Sequence, residues 1–479
     1  MLGIILIIIP LLAGLLTTLI HNDKKVKMFA LSMALIQLGV TIYAGLNPYS
    51  DLCKEIKYAW IQDIGVYFSL QIDGLSFLML LLTNLLTPLI IASAFGQKYS
   101  KTRIYYALIL FMQFALNGVF LASNAFLFYV FWELALIPIF FMMLLWGGEN
   151  RRRITLKFFL YTLLGSLSML VGFLWLSTTS DQITFDWHDW MNMQITPELQ
   201  PKIFILIFLA FAIKMPMFPF HTWQAETYAV SSSQTTMLLS GLMVKMAIYG
   251  MLRWLFPILP QGVEFWKDIV IVFSLIGLLY GCIIAFTQTD MKRIIAYTSM
   301  IHTAMMSIGL FTMQQIAYEG VVYQMFSHGV NIVAIFYLCQ WLEDKTGTIN
   351  VQKLGGIKPF APVFTGFMLI TIFSTISLPL TNGFVGEFLI MNGIAQYGIT
   401  TAVLTGVSII LCAVYLLYFY QKIMLGEPAK DFVIKDMTIK ESAIMFPMAA
   451  IMLITGVVPS LIINLTTQEL TEIFQKLMN

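Results

Sequence analysis

Apolar residues run along this chain in blocks of about twenty, separated by short polar breaks, which is the length a helix needs to cross about 30 Å of hydrocarbon. Such blocks lie near 2–20, 27–45, 74–95, 104–122, 124–146, 154–177, 203–225, 235–256, 268–288, 294–312, 316–342, 361–393, 401–425 and 442–465. They predict about fourteen membrane helices with no room for a soluble domain between them. The expected fold is an all-α polytopic membrane protein forming a single membrane domain over residues 1–479. The first block, Leu2 to Ile20, lacks a basic stretch before it and is followed by Lys24, Lys25 and Lys27, so it reads as a retained helix rather than a cleaved signal.

Two blocks are interrupted in a matching way: "FAIKMPMFPF" (211–220) and "STISLPLTNGFVGEF" (374–388). Each sets a polar residue two positions before a mid-span proline, Lys214 before Pro216 and Ser377 before Pro379, and then resumes as a second half-helix. They are the seventh and twelfth blocks. An odd offset gives the two units opposite directions across the membrane, which points to inverted five-helix repeats with discontinuous helices, 104–256 and 268–425. The alternative is ordinary proline kinking, which membrane helices tolerate without any repeat.

Composition agrees with the pattern. The chain is 59% hydrophobic and 11% charged, with a mean hydropathy of +0.83, against about 25% charged residues in an ordinary soluble domain. A net charge of +2 without a long basic run gives no electrostatic basis for nucleic-acid binding. Partners are therefore expected to be lipid and other membrane chains. The cysteines (Cys53, Cys282, Cys339, Cys412) are scattered, with no spacing that suggests a disulfide framework, zinc site or iron–sulfur cluster. Alternating the loops between two sides collects Lys24, Lys98, Lys101, Arg103, Arg151, Arg152, Arg153, Lys292, Arg293, Lys345, Lys422, Lys430 and Lys440 on one face, while Asp181, Asp186, Asp189 and Glu198 fall on the other. The positive-inside rule makes the basic face cytoplasmic and places both termini on the non-cytoplasmic side.

Ionisable residues inside the blocks are few. Glu133 sits in "FYVFWELALIPIF", Lys214 and Lys245 on neighbouring spans, His302 in "SMIHTAMM", His328 in "QMFSHGVNI" and Glu387 at the end of "NGFVGEF". A charge at the centre of a span costs roughly 2.5–3.5 kcal/mol even on lenient scales, so such residues are functional by default. Burial discourages the charged form of any acid or base, and an opposite charge nearby restores it. A carboxylate and an ammonium that approach and separate thus make a switchable proton store. A static ion pair is the alternative for Glu133 and Lys214, helix packing for the histidines, and a wet span end for Glu387. His221 and Trp223 in "FHTW" read as an interfacial anchor, and Arg253 and Glu226 as solvated or snorkelling near loop ends.

The stretches "FWELALIP", "KMPMFPFHTW", "LLSGLMVKMAIYGMLRW", "DMKRIIAYTSMIH", "MFSHG" and "NGFVGEF" resemble, in order and over nearly the whole chain, the motifs of the proton-translocating antiporter-like subunits of respiratory complex I. The "WELALIP" context and an end at the fourteenth span, without a long lateral helix, resemble the M-type branch. The resemblance implies that Glu133 pairs with Lys214, that Lys245 is a central relay, and that His302 and His328 connect toward Glu387. It implies no cofactor in this chain, with flavin, iron–sulfur clusters and quinone in partner subunits. It also implies neighbouring antiporter-like subunits as partners and a bacterial inner membrane as location. The sequence departs from the family pattern after "HTW": Ala225 and Ser232 stand where prolines are common, and Tyr228 where a histidine is. Besides a redox-driven proton pump subunit, two readings stay open: a subunit of a multisubunit cation/proton antiporter and a non-transporting membrane scaffold.

Overall fold

The structure, a computed structural model, describes residues 1–179, 182–427 and 434–478. Asp181 and Lys430, counted above among the loop charges, lie outside the described residues. Among the described residues, twelve helices are long and apolar enough to cross a membrane: Leu2–Leu19, Asp23–Leu46, Gly74–Ser93, Thr102–Leu121, Ala125–Trp146, Arg151–Ser177, Ser233–Leu255, Pro260–Thr287, Met291–Phe311, Gln315–Thr346, Ile399–Leu425 and Ile439–Val457. The chain is an all-α integral membrane protein.

The other two expected crossings are broken where the prolines predict. Helix Gln200–Lys214 stops one residue before Met215, and the chain resumes as a turn of 3₁₀ helix at Phe220–Trp223 and helix Gln224–Val230. Pro216 has no N–H to continue the ladder, and its ring would meet the carbonyl of Ala212. Pro379 does the same four residues after Thr375, the last residue of helix Pro362–Thr375, and helix Asn382–Tyr397 follows. The two breaks are not superposable in detail. Lys214 is the final helical residue of its half, whereas Ser377 lies past the helix end in the left-handed region (φ 60°).

A third interruption was not anticipated. The span Ala125–Trp146 consists of helices Ala125–Leu134 and Leu136–Trp146 joined at Ala135, and Pro138 accounts for it by removing the partner of the Leu134 carbonyl. Outside the spans the pattern also missed a two-stranded antiparallel hairpin, Ile56–Ile61 with Val66–Leu70, and the short helices Trp187–Asn192 and Thr467–Met478.

The chain divides into two compact units. The first comprises residues 1–215, 242–267 and 465–479. Its first helix contains Pro10, which orphans the carbonyl of Leu6; the side-chain amides of Gln37 (2.7 Å) and Asn117 (2.9 Å) donate to that oxygen. Asn84 extends the network by accepting from Gln113 and donating to Thr41, each at 2.8 Å. Helices Arg151–Ser177 and Gln200–Lys214 approach closely because Gly165 and Gly172 face the partner: a Cβ on Gly172 would stand 2.6 Å from Ile207.

The second unit comprises residues 216–241 and 268–464. Helix Gln315–Thr346 is buried along most of its length and ties into its neighbours through Gln234–Gln340 (2.8 Å) and Tyr323 to the Thr455 carbonyl (2.7 Å). At its end, ion pairs Lys292–Glu343 (3.0 Å) and Lys345–Glu441 (3.1 Å) join it to the helices beginning at Met291 and Ile439.

Candidate functional site

In the first unit, the break at Pro216 delivers Lys214 to the C-terminal end of a helix, where unpaired carbonyls carry partial negative charge. The side chain is 2% exposed, and its ammonium lies 5.0 Å over the Trp132 ring, a cation–π contact. Glu133, the next residue along, is half-buried; it hydrogen-bonds to Ser166 and lies within Coulombic reach of Lys214. Trp132 in turn packs edge-on against Phe211 (5.6 Å), one turn before Lys214. Three helices thus converge on one acid–base pair, and Gly165, next to Ser166, is what lets them approach. Ser166 and Trp132 were not singled out from the sequence; only packing assigns them a role.

Lys245 belongs to the same unit. It opens the α-helical stretch Lys245–Gly250, bracketed by π turns Leu239–Met243 and Met251–Leu255, and is completely buried. π turns displace one backbone carbonyl from its partner and concentrate at functional sites.

The second unit brings three predicted residues together. His302 Nδ1 lies 2.8 Å from Glu387 Oε1, and the rings of His302 and His328 are 5.6 Å apart. All three are buried. Glu387 is thus not a wet span end. A small space of about 10 Å³ lies between His302, Glu387, Thr375, Ser408 and Cys412, and another of about 10 Å³ between His302, His328, Gln324, Asn331 and Thr375. Each matches roughly one water. Asn331 accepts from Ser374 (3.1 Å), which also hydrogen-bonds Asn382 at the start of the half-helix that carries Glu387. Cys412, passed over in the sequence for want of ligand spacing, stands within hydrogen-bonding range of His302. Among the described residues no three His, Cys, Asp or Glu side chains form a group able to hold a metal ion.

Comparison with known proteins gives this arrangement its context. Residues 122–412, more than half the chain, match the family model described as the membrane region of NADH:quinone oxidoreductase and Mrp antiporters. The chain belongs to this family. Of its relatives, NADH-quinone oxidoreductase subunit M of Rhodobacter capsulatus is 33% identical over 95% of this chain and 91% of its own length. Subunit M of Pseudomonas aeruginosa is 30% identical over 96% and 95%. A chain of respiratory complex I from Thermus thermophilus superposes with a TM-score of 0.91 at 28% identity, covering 99% of this chain and all of that one. A chain of the Mrp complex from Dietzia shares the fold (TM-score 0.88, 20% identity, 100% and 99% covered).

Within this member of the family, two expectations for flanking residues are overturned. Arg253 is neither solvated nor snorkelling: it is 2% exposed, ion-paired with Asp73 and stacked 4.3 Å from the Trp187 ring. Asp73 caps helix Gly74–Ser93 from 180 residues away in sequence, so no local signal announced the pair. Trp223 and His221 do not anchor to headgroups. Trp223 is 1% exposed, and His221 is buried against Phe218 (5.5 Å) and Tyr280 (5.0 Å). At Ser232 the atypical loop keeps the backbone geometry that a proline requires. Ser232 has φ −59° and follows an extended Ser231, and Ser232 Oγ bonds Thr235 at 2.8 Å, while Tyr228 packs against Phe336.

Proposed function

We propose that this chain is a proton-translocating membrane subunit of an NADH:quinone oxidoreductase, of the M type, driven by redox chemistry that takes place in other subunits. Protons enter on the basic-loop face and leave on the other, carried by Glu133, Lys214, Lys245, His328, His302 and Glu387. The observation that carries this reading is the pairing of half-buried Glu133 with buried Lys214 at the break of a half-helix. Such a pair can hold a proton while close and release it when separated, and the broken helix is the element whose small motion would change the spacing. Lysine as carrier favours protons over sodium, because an ammonium offers no lone pair to a metal cation.

The repeats 104–256 and 268–425 supply two half-paths of opposite direction in this reading, the first holding the Glu133–Lys214 pair and the second the His302–Glu387 pair. Flavin, iron–sulfur clusters and quinone belong to partner subunits, the neighbours in the membrane are further antiporter-like chains, and the location is a bacterial inner membrane with both termini outside. The family description embraces Mrp antiporters as well, but relatives at 30–34% identity over most of their length carry the NADH-quinone oxidoreductase name. Affinity purification of the tagged chain decides between the two. Co-elution of NADH:quinone oxidoreductase activity with flavin and iron–sulfur absorbance is expected. Elution with small membrane subunits only, lacking NADH oxidation, would establish the antiporter reading instead.

A further inference from the structure

The His302–Glu387 pair has a second, unassigned neighbour. Helix Ile399–Tyr420 presents Ser408, Cys412 and Tyr415 on one buried stripe. Cys412 borders the same small space as His302 and Glu387. Its Sγ is 3.2 Å from the Tyr415 hydroxyl, and that hydroxyl is 2.8 Å from Oγ1 of Thr298. The four groups are buried, and the Nε2 atom of His302 has no aligned protein hydrogen-bond partner, so its proton-exchanging edge is available to the thiol or to one water beside it.

The direction of this chain of hydroxyls and thiol is informative. Thr298 precedes His302 by one helical turn, about 6 Å nearer the end of helix Met291–Phe311 that carries Lys292 and Arg293. Tyr415 follows Cys412 by about 4.5 Å toward the end of its own helix, where Lys422 lies. Both helices therefore lead from His302 toward their basic ends. Each member is a donor and an acceptor at once: a hydroxyl, a phenol and a thiol can accept a proton on the lone pair while giving up the one they hold.

We propose that Thr298, Tyr415 and Cys412 form a side branch that delivers protons from the basic end of the second unit to His302, which then passes them to Glu387. The proposal rests on the proton-translocating reading given above. In one transfer, the Thr298 hydroxyl turns from the Ile294 carbonyl to which it donates (2.8 Å) and gives its proton to the Tyr415 oxygen, the phenol gives its own to Cys412 Sγ, and the thiol gives its own to His302 Nε2, directly or through one water. Thr298 is reprotonated from the basic side, and the imidazolium loses its Nδ1 proton to the Glu387 carboxylate. No electron moves and one proton is displaced along the whole branch. Ser408 and Cys282 are not members: the Ser408 hydroxyl donates to the Thr405 carbonyl (2.6 Å), and the Cys282 thiol points at the Ser408 backbone carbonyl (3.6 Å).

The test measures the rate of proton pumping and, separately, the rate of NADH oxidation in inverted vesicles containing the intact complex, with assembly checked on native gels. The variants are Tyr415→Phe, Cys412→Ala, Cys412→Ser and, as a control on the underlying reading, Lys214→Met. Tyr415→Phe keeps the ring and its packing and removes only the hydroxyl. The branch predicts that Tyr415→Phe and Cys412→Ala lower the pumping rate of assembled complex, leaving the part that arrives through Lys214 and Lys245, and that Cys412→Ser, which keeps a donor and acceptor, restores most of the loss. A merely structural thiol predicts the reverse ranking, with the apolar alanine tolerated and the polar serine not. Wild-type pumping in Tyr415→Phe, or serine no better than alanine, overturns the branch. If Lys214→Met also pumps as wild type, the proton-carrying reading itself fails; if only Lys214→Met is defective, that reading survives and the branch does not.

Discussion

Lys214 is tolerated in the bilayer because four local features act on one ammonium: the carbonyl end of its helix, the Trp132 face, Glu133, and the exclusion of lipid by the packed helices around it. The helix terminus alone supplies about 0.3–1 kcal/mol at an exposed site and up to about 2 when partly buried, so it does not cover an insertion cost of roughly 2.5–3.5 kcal/mol. The carboxylate is needed. Arg253 shows the same economy of pairing away from the candidate path. Removing one partner of a buried pair strands the other, so Arg253→Leu is expected to destabilise by about 3–5 kcal/mol, whereas Arg253→Leu with Asp73→Asn should recover much of the loss. Thermal unfolding of the solubilised protein reads both. Equal damage in the single and double variants would show that the guanidinium matters for reasons other than Asp73.

At the scale of the element, proline decides where helices stop and polar side chains decide whether a stop is tolerated. Pro216 and Pro379 end helices outright, and Pro138 breaks a span without ending it. Pro10 stays inside a continuous helix because Gln37 and Asn117 satisfy the carbonyl it orphans. Gln37→Leu or Asn117→Leu alone is expected to cost about 1 kcal/mol, since the other amide still serves Leu6. The double variant should cost more than the sum of the singles, because only then is a buried carbonyl left without a donor. Strict additivity in thermal denaturation would contradict this account of the Pro10 helix.

At the scale of the whole molecule, what was legible in the sequence was whatever a window of about twenty residues contains. Span positions, the two prolines that break them and the six ionisable residues within the spans all have local signatures, because the bilayer forbids unpaired polar groups in any other setting. Partnerships were not legible. Arg253 looked snorkelling because its acid is far away along the chain, Ser166 looked like one serine among many, and Cys412 became significant only when its helix packed beside His302. The hairpin Ile56–Leu70 was hidden for another reason: its strand Ile56–Ile61 is exposed on both faces, so no alternation marks it. The pairings Glu133–Lys214 and His302–Glu387 were implied by family resemblance rather than by spacing, and the geometry supplies the physical reason each pair can meet.

In the proposed path Lys214 carries protons rather than merely sitting beside an acid. Proton uptake by inverted membrane vesicles carrying Lys214→Met, with NADH oxidation followed in parallel and assembly checked on native gels, tests it most directly. If Lys214 carries protons, the complex assembles and pumping and coupled oxidation fall together. Unchanged pumping in the assembled variant would make the lysine structural and would remove the foundation of the proposed path.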